Sequence, residues 1–399
     1  MTTHETATGE ARLTPAQADA TRRYFDERAG AVISLARSLV ETESPSGDAD
    51  GSRAVVRLLE EAARSCGALT SFERVPARDA YGEHLRATFF GGRGSDSAIL
   101  ILGHTDTVHP RGSLAERPWR EEGGRLYGPG VFDMKASCAL VVEVMRACES
   151  LGVVPSREVV VLLTCDEETG STHGGRELVE REAARARAAL VLEPPAPGGR
   201  VKTARKGTGH YVVTATGRPA HAGLEPEKGA SAVLEIARQI ERLHTLNDPS
   251  LGTNVNVGVV AGGTRSNVVA AEARAEVDVR FSTIDEARRI EEIILGLRPF
   301  DGRVRVEVEG EINRPPLERS EGVARLYETA RACATLLGFE LGEASVGGAS
   351  DGNFAAAVGA PVLDGLGIEG DGAHAFHEHI EASGVAPRGA LLASLVASL

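Results

Sequence analysis

Three short, unbroken apolar runs constrain this chain most: Ala98–Leu102, Val159–Leu163 and Ala189–Leu192. Each is four or five residues long and rich in Val, Ile or Leu, as strands buried on both faces should be. A helical stretch from Lys135 to Leu151, closed by Gly152, separates the first two. Buried strand and helix in alternation predict a mixed, largely parallel α/β sheet flanked by helices. Upstream, Thr14 and Pro15 open a helix toward Val40. Ala54, Val55, Leu58, Leu59 and Ala62 recur at helical spacing, predicting a second helix from Gly51 to Cys66.

From about Lys206 the rhythm changes. Tyr211–Thr216 alternates like a strand, Ala230–Leu243 is amphipathic, and Asn254–Val260 and Ala271–Phe281 read as half-exposed strands. Thr283–Leu297 reads as a helix and Val304–Val308 as a last strand, giving the β-α-β-β-α-β order of a ferredoxin-like α+β unit. Ser320 then caps another helix, and the α/β pattern resumes through Pro361–Leu363. The expected organisation is a discontinuous α/β domain over residues 1–206 and 314–399, interrupted by an inserted domain at 207–313.

Composition excludes several classes. With 42% hydrophobic residues among 399, a large core is available. The net charge is −13 with no basic block, which argues against nucleic acid as a partner. No 18-residue apolar run could span a bilayer, and the polar N-terminus lacks a signal-type apolar core. The five cysteines are scattered without a CxxC pair, so neither a disulfide framework nor a thiolate metal site is expected. A cytoplasmic location follows by default. No GxGxxG or P-loop string points to a nucleotide.

The chemistry sits where the buried runs end. The first leads into His104 and Asp106, the second into Asp166, Glu167 and Glu168, the third into Glu193 and Pro194. Ligands of open α/β sheets bind beyond the carboxyl ends of the strands, so His and carboxylate groups converge on one edge. Imidazole and carboxylate without thiolate suit zinc, cobalt or manganese. His104 and Asp106, two apart, point the same way in an extended segment, and the carboxylate could accept the imidazole's second N–H. Asp133 precedes a helix and could be an ordinary N-cap or a bridge between two metals. Glu167 and Glu168 could be a solvated acidic loop, or one ligand and one general base. Glu193 could be a loop charge, and the loop carrying His374, His377 and His379 a weak surface metal patch.

Ten segments in order decide between these readings: ETESPSGD, GHTDTVHP, RLYGPGVFDMKAS, TCDEETGS, LEPP, GRPAHAG, GGTRSNVV, VDVRF, GGASDGNF and DGAHAFHEHI. They span nearly the whole chain. Together they resemble the co-catalytic zinc peptidases and deacylases related to glutamate carboxypeptidase, aminoacylase, acetylornithine deacetylase and succinyl-diaminopimelate desuccinylase. The resemblance implies two divalent ions, zinc first with cobalt or manganese as alternatives. Asp133 would bridge them, with His104 and Glu193 on one and Glu168 and His374 on the other. His374 rather than His377 is the implied ligand, because Gly-Ala-His is followed four residues later by Glu378. Glu167 would be the base and Asp106 the support of His104.

The inserted domain resembles the family's lid and dimer contact, with His221 as an oxyanion donor, often serving the partner subunit. Asn267 and Arg280 would hold a substrate carboxylate, for which a guanidinium fork is well shaped. Gly348 would line the pocket. The implied reaction is hydrolysis of the amide next to a free-carboxylate amino acid in a small peptide or N-acyl amino acid. GGTRSNVV, GGASDGNF and the lid's length look most like the glutamate carboxypeptidase branch. An N-acyl amino acid deacylase is the alternative, and a non-catalytic peptide-binding relative a remote one.

Overall fold

The computed structural model describes residues 12–94 and 97–399. The expectation of a polar, signal-free N-terminus falls largely on residues outside that range. The chain divides into two compact units. One contains the described residues up to Ala204, with Arg319–Val346 and Ser350–Leu399; the other is Arg205–Glu318 with Gly347–Ala349. The first therefore lacks 205–206, 314–318 and 347–349, which the expected ranges 1–206 and 314–399 include. Arg205 explains part of the difference: its Nη1 donates to the carbonyls of Gly348 and Ala349, at 3.1 and 3.2 Å, and its backbone bridges Leu317.

The first unit is built on a six-stranded sheet in the order Leu69–Pro76, Glu83–Phe89, Val159–Thr164, Ile99–His104, Ala188–Val191, Val362–Leu363. The last four run parallel to one another, while Glu83–Phe89 pairs antiparallel both with Leu69–Pro76 at the edge and with Val159–Thr164. Each apolar run forms a strand, Ile99–His104, Val159–Thr164 and Ala188–Val191, and each strand is buried at every position. Side chains alternate between faces of a strand. Accordingly Ile99, Ile101, Val159, Val161 and Leu163 join a core that includes residues of the helices Pro15–Val40, Ala136–Ser150 and Val385–Ser398. Leu100, Leu102, Val160 and Leu162 are equally buried but stand apart from that core, as a sheet covered on both faces requires.

The helix starts follow from local chemistry. Thr14 and Gln17 form a capping box with Pro15 at the first turn. Asp48 caps Ala49–Arg64, and Ser320 caps Glu321–Leu337. The hairpin Leu69–Phe89 carries no apolar pattern that marks it in the sequence; Leu69–Pro76 lies at the sheet edge and is exposed or half-buried throughout.

The second unit is a four-stranded antiparallel sheet in the order Asn254–Gly262, Glu272–Phe281, Gly207–Thr216, Arg305–Arg314. The helices Ala232–His244 and Ile284–Leu295 follow the first and third strands in sequence. Tyr211, Val213, Ala215, Val277 and Val279 pack with Ile236, Leu243, Ile290 and Ile294, so one face of the sheet is dry. The last strand extends well past Val308, where Gly310 interrupts the alternation. At φ 133 it allows His210 O to approach to where a Cβ would stand 2.2 Å away. No helix among the described residues is long and apolar enough to cross a membrane.

Candidate metal centre

His104 ends the Ile99–His104 strand, in register with Thr164 of its parallel neighbour. The chain thus delivers His104 beside the loop that follows Thr164, which carries Glu167 and Glu168 in a single 3-10 turn. Glu193 follows Leu192, whose amide still pairs with Leu102. Asp133 sits in the tight turn Val131–Lys135 rather than capping the helix that begins at Ala136.

The Asp133 carboxylate is divided between two histidines. Its Oδ1 lies 3.0 Å from His104 Nε2 and its Oδ2 3.5 Å from His374 Nε2. Each histidine also faces its own glutamate: His104 Nε2 to Glu193 Oε1 at 3.6 Å, and His374 Nε2 to Glu168 Oε2 at 3.1 Å. Donor atoms of His104, Asp133 and Glu168 lie within 4.8 Å of one another, as do those of His104, Glu167 and Glu193. Ligands of a tetrahedral ion with bonds of about 2.0–2.1 Å stand roughly 3.3 Å apart, which these spacings straddle. Glu168 Oε1 is buried without a hydrogen-bond partner, a polar atom that a cation would satisfy. The donor set therefore fits a pair of divalent ions.

Electrostatics reflect the crowding of carboxylates. Burial alone would lower the His104 imidazole, but Asp106 and Asp133 beside it raise it well above the usual histidine range. His374, hydrogen-bonded by Asp133 and Glu168, is pushed up to about 10. Burial favours a protonated Asp133, yet the two histidines hold its carboxyl well below the ordinary range. His374 also adopts a left-handed backbone, φ 63. In a non-glycine residue that costs about 1–3 kcal/mol and persists where surrounding contacts over-determine it.

Asp106 differs from expectation in how it supports His104. The imidazole Nδ1 lies 3.0 Å from the Asp106 backbone carbonyl, whereas the carboxylate is 3.5 Å away. The carboxylate instead accepts from the Ser46 hydroxyl at 2.6 Å and from the amides of Glu167 and Glu168 at 3.3 and 3.2 Å. It thus ties the histidine segment to the turn carrying both glutamates. Ser46 was legible in the sequence only as part of a matching string. His377 is exposed, and none of the ion pairs to Asp133 or Glu168 involves it.

Seven residues named from the sequence therefore meet in the first unit: His104, Asp106, Asp133, Glu167, Glu168, Glu193 and His374. The other four lie in the second. His221 is exposed, and its Nδ1 accepts from the amides of Gly223 and Leu224 at 3.1 and 3.2 Å. Asn267 is exposed and its carbonyl accepts from Ala222 N. Arg280, near the end of its strand, forks onto Asp278 through two bonds of 2.8 and 2.9 Å. Gly348 is exposed, with its carbonyl on Arg205.

Comparison with known proteins agrees with this geometry. Residues 100–398 match the model of peptidase family M20/M25/M40. Carboxypeptidase G2 of Pseudomonas sp. (strain RS-16) is 31% identical over 376 residues, covering 92% of this chain and 89% of that protein. Succinyl-diaminopimelate desuccinylase of Alkalilimnicola ehrlichii is 31% identical over 314 residues, 73% of this chain and 81% of its own length. The fold also superposes on aminopeptidase PepT from Bacillus cereus with a TM-score of 0.76 at 21% identity, covering 93% and 98% of the two chains. The chain belongs to peptidase family M20/M25/M40 and is a metal-dependent hydrolase of amide bonds.

Proposed function

We propose that the chain is a di-zinc exopeptidase of the glutamate carboxypeptidase kind, cleaving the amide next to a free-carboxylate amino acid. One observation carries the reading: the two oxygens of Asp133 are shared between His104 and His374, each histidine backed by a separate glutamate. His104, Asp133 and Glu193 would hold one ion, and Asp133, Glu168 and His374 the other. Zinc is favoured by the imidazole and carboxylate set, with cobalt or manganese able to substitute. When bound, the pair supplies Lewis acidity toward the scissile carbonyl and the attacking water.

Glu167 is the remaining carboxylate of the cluster and is only 9% exposed. In this reading it takes the proton from the water as the C–O bond forms. It returns that proton to the amine nitrogen as the C–N bond breaks. His221 would stabilise the oxyanion. Because two amides donate to its Nδ1, the neutral ring carries its proton on Nε2, the form that can donate. Arg280 and Asn267 would hold the substrate carboxylate and orient the amide, with Gly348 lining the pocket. Asp278 would keep the Arg280 fork in its binding rotamer until substrate takes its place.

In this reading the second unit is the lid and supplies the contact of a homodimer. The five cysteines are all free and buried, which suits a reducing cytoplasm. An N-acyl amino acid deacylase is the second reading, favoured by the likeness to the desuccinylase. The test is a zinc-reconstituted assay on dipeptides and N-acyl amino acids in which both sides of the amide are varied. Cleavage that demands a C-terminal glutamate but tolerates many groups on the acyl side supports the proposal. Strict demand for one short acyl group moves the assignment to the deacylase, and no metal-dependent cleavage of any member overturns both.

A further inference from the structure

His109 closes the segment GHTDTVHP before its proline, and Arg117 follows it eight residues later. Both belong to a partly buried network that joins the segments carrying three of the candidate ligands. At its centre is Glu378, 2% exposed. Its carboxylate accepts from the amides of Gly130 at 2.8 Å, Phe132 at 2.9 Å and Asp133 at 3.0 Å. The fourth contact is His109 Nε2, 2.6 Å from Oε2. A carboxylate cannot donate, so Nε2 carries the ring proton. The other ring nitrogen, Nδ1, lies 3.2 Å from Arg117 Nη2, which only donates. Arg117 Nη1 in turn reaches the Ala375 carbonyl at 3.4 Å, and the guanidinium lies 4.7 Å over the Phe376 ring.

We infer that Arg117, His109 and Glu378 form a positioning relay that pre-sets Asp133 and His374 for the metal pair. The inference rests on the di-metal reading above. Asp133 has its backbone pinned by Glu378, and His374 stands one residue before the carbonyl that Arg117 grips. His109, five residues beyond His104, completes the triangle by fixing the carboxylate that pins the Asp133 turn. None of the three residues is a ligand; each acts through one. Groups that orient metal ligands commonly contribute about 10- to 100-fold in metal affinity or activity.

Cobalt(II) titration of metal-depleted protein, followed by visible absorption against a chelator, tests this apart from turnover. Wild-type protein should bind two ions per chain. H109F, which keeps a ring but neither hydrogen bond, should lose about 10- to 100-fold in affinity while its thermal unfolding remains cooperative. H109Q restores a donor toward Glu378 and should recover most of that loss. R117A frees the Ala375 segment and should weaken one of the two ions more than the other. With substrate, kcat should fall in H109F while KM stays near the wild-type value, as expected when the reacting groups rather than the substrate clamp are displaced. Two ions bound at wild-type affinity in both H109F and R117A would overturn the relay while leaving the di-metal reading intact. Fewer than two ions in the wild type would overturn that reading and the relay with it. If H109F does not fold, R117A and the H109Q comparison decide.

Discussion

Removal of the Asp106 carboxylate should damage the site and the fold together. In Asp106→Ala the Ser46 hydroxyl and the amides of Glu167 and Glu168 all lose their acceptor. A buried polar group left without a partner costs about 1–3 kcal/mol. Three such donors set a floor near 3 kcal/mol, and water entering the vacated space keeps the cost toward the low end, about 3–5 kcal/mol. Asp106→Asn keeps one acceptor oxygen, and its amino group can face the Ser46 hydroxyl, so only about one donor is stranded, about 1–3 kcal/mol. Urea unfolding of the metal-depleted protein would measure both.

The pH dependence follows with a definite sign. Burial raises the Asp106 carboxyl, but His104, the Ser46 hydroxyl and the Glu168 amide hold it below its ordinary value. A depressed folded value means that the contribution is present above the unfolded value near 3.9. It is lost as pH falls through the lower folded value. Asp106→Asn should lack that acid limb. An Asp106→Ala protein within about 1 kcal/mol of wild type, with unchanged pH dependence, would refute the reasoning.

Three further outcomes are expected. The carboxylates beside them raise both His104 and His374, so loading two ions should displace protons from the two rings and affinity should rise with pH. Calorimetry in buffers of different ionisation enthalpy counts them, and zero release would contradict the ligand assignment. His374→Ala should reduce metal content, whereas His377→Ala should not; analysis of metal per chain would expose the reverse. Arg280→Lys keeps the charge but loses the fork, so kcat/KM on a C-terminal glutamate substrate should fall by at least about tenfold. An unchanged value would remove Arg280 from the substrate clamp.

Much of the first unit could be read from the chain because its signals are local. Continuous apolar runs mark strands covered on both faces, and the residue after each run stands at the sheet's ligand-binding edge. That placement makes His104, Glu168 and Glu193 candidates, while the choice among their roles comes from the family resemblance. What escaped was non-local or not apolar. The edge strand Leu69–Pro76 has no face buried deeply enough to impose a pattern. The strand Arg305–Arg314 runs on past a glycine whose purpose is visible only against the carbonyl of His210. Glu378 marked the choice of His374 in the sequence, but nothing nearby in the chain foretells that it accepts amides about 245 positions away. The Asp106 carboxylate is expected to support His104, yet its backbone carbonyl takes the Nδ1 contact while its carboxylate organises the glutamate turn. Distinctions of that kind depend on rotamers, which residue spacing does not specify.

The central claim is that Asp133 joins two ions and that Glu167 stands outside the ligand set. Zinc content per chain after reconstitution, measured alongside turnover in three proteins, tests it most directly. The wild type should hold two ions and be active. Glu167→Ala should hold two and be inert, and Asp133→Ala should hold close to none. Two ions retained in Asp133→Ala, or near-normal turnover in Glu167→Ala, would contradict the account.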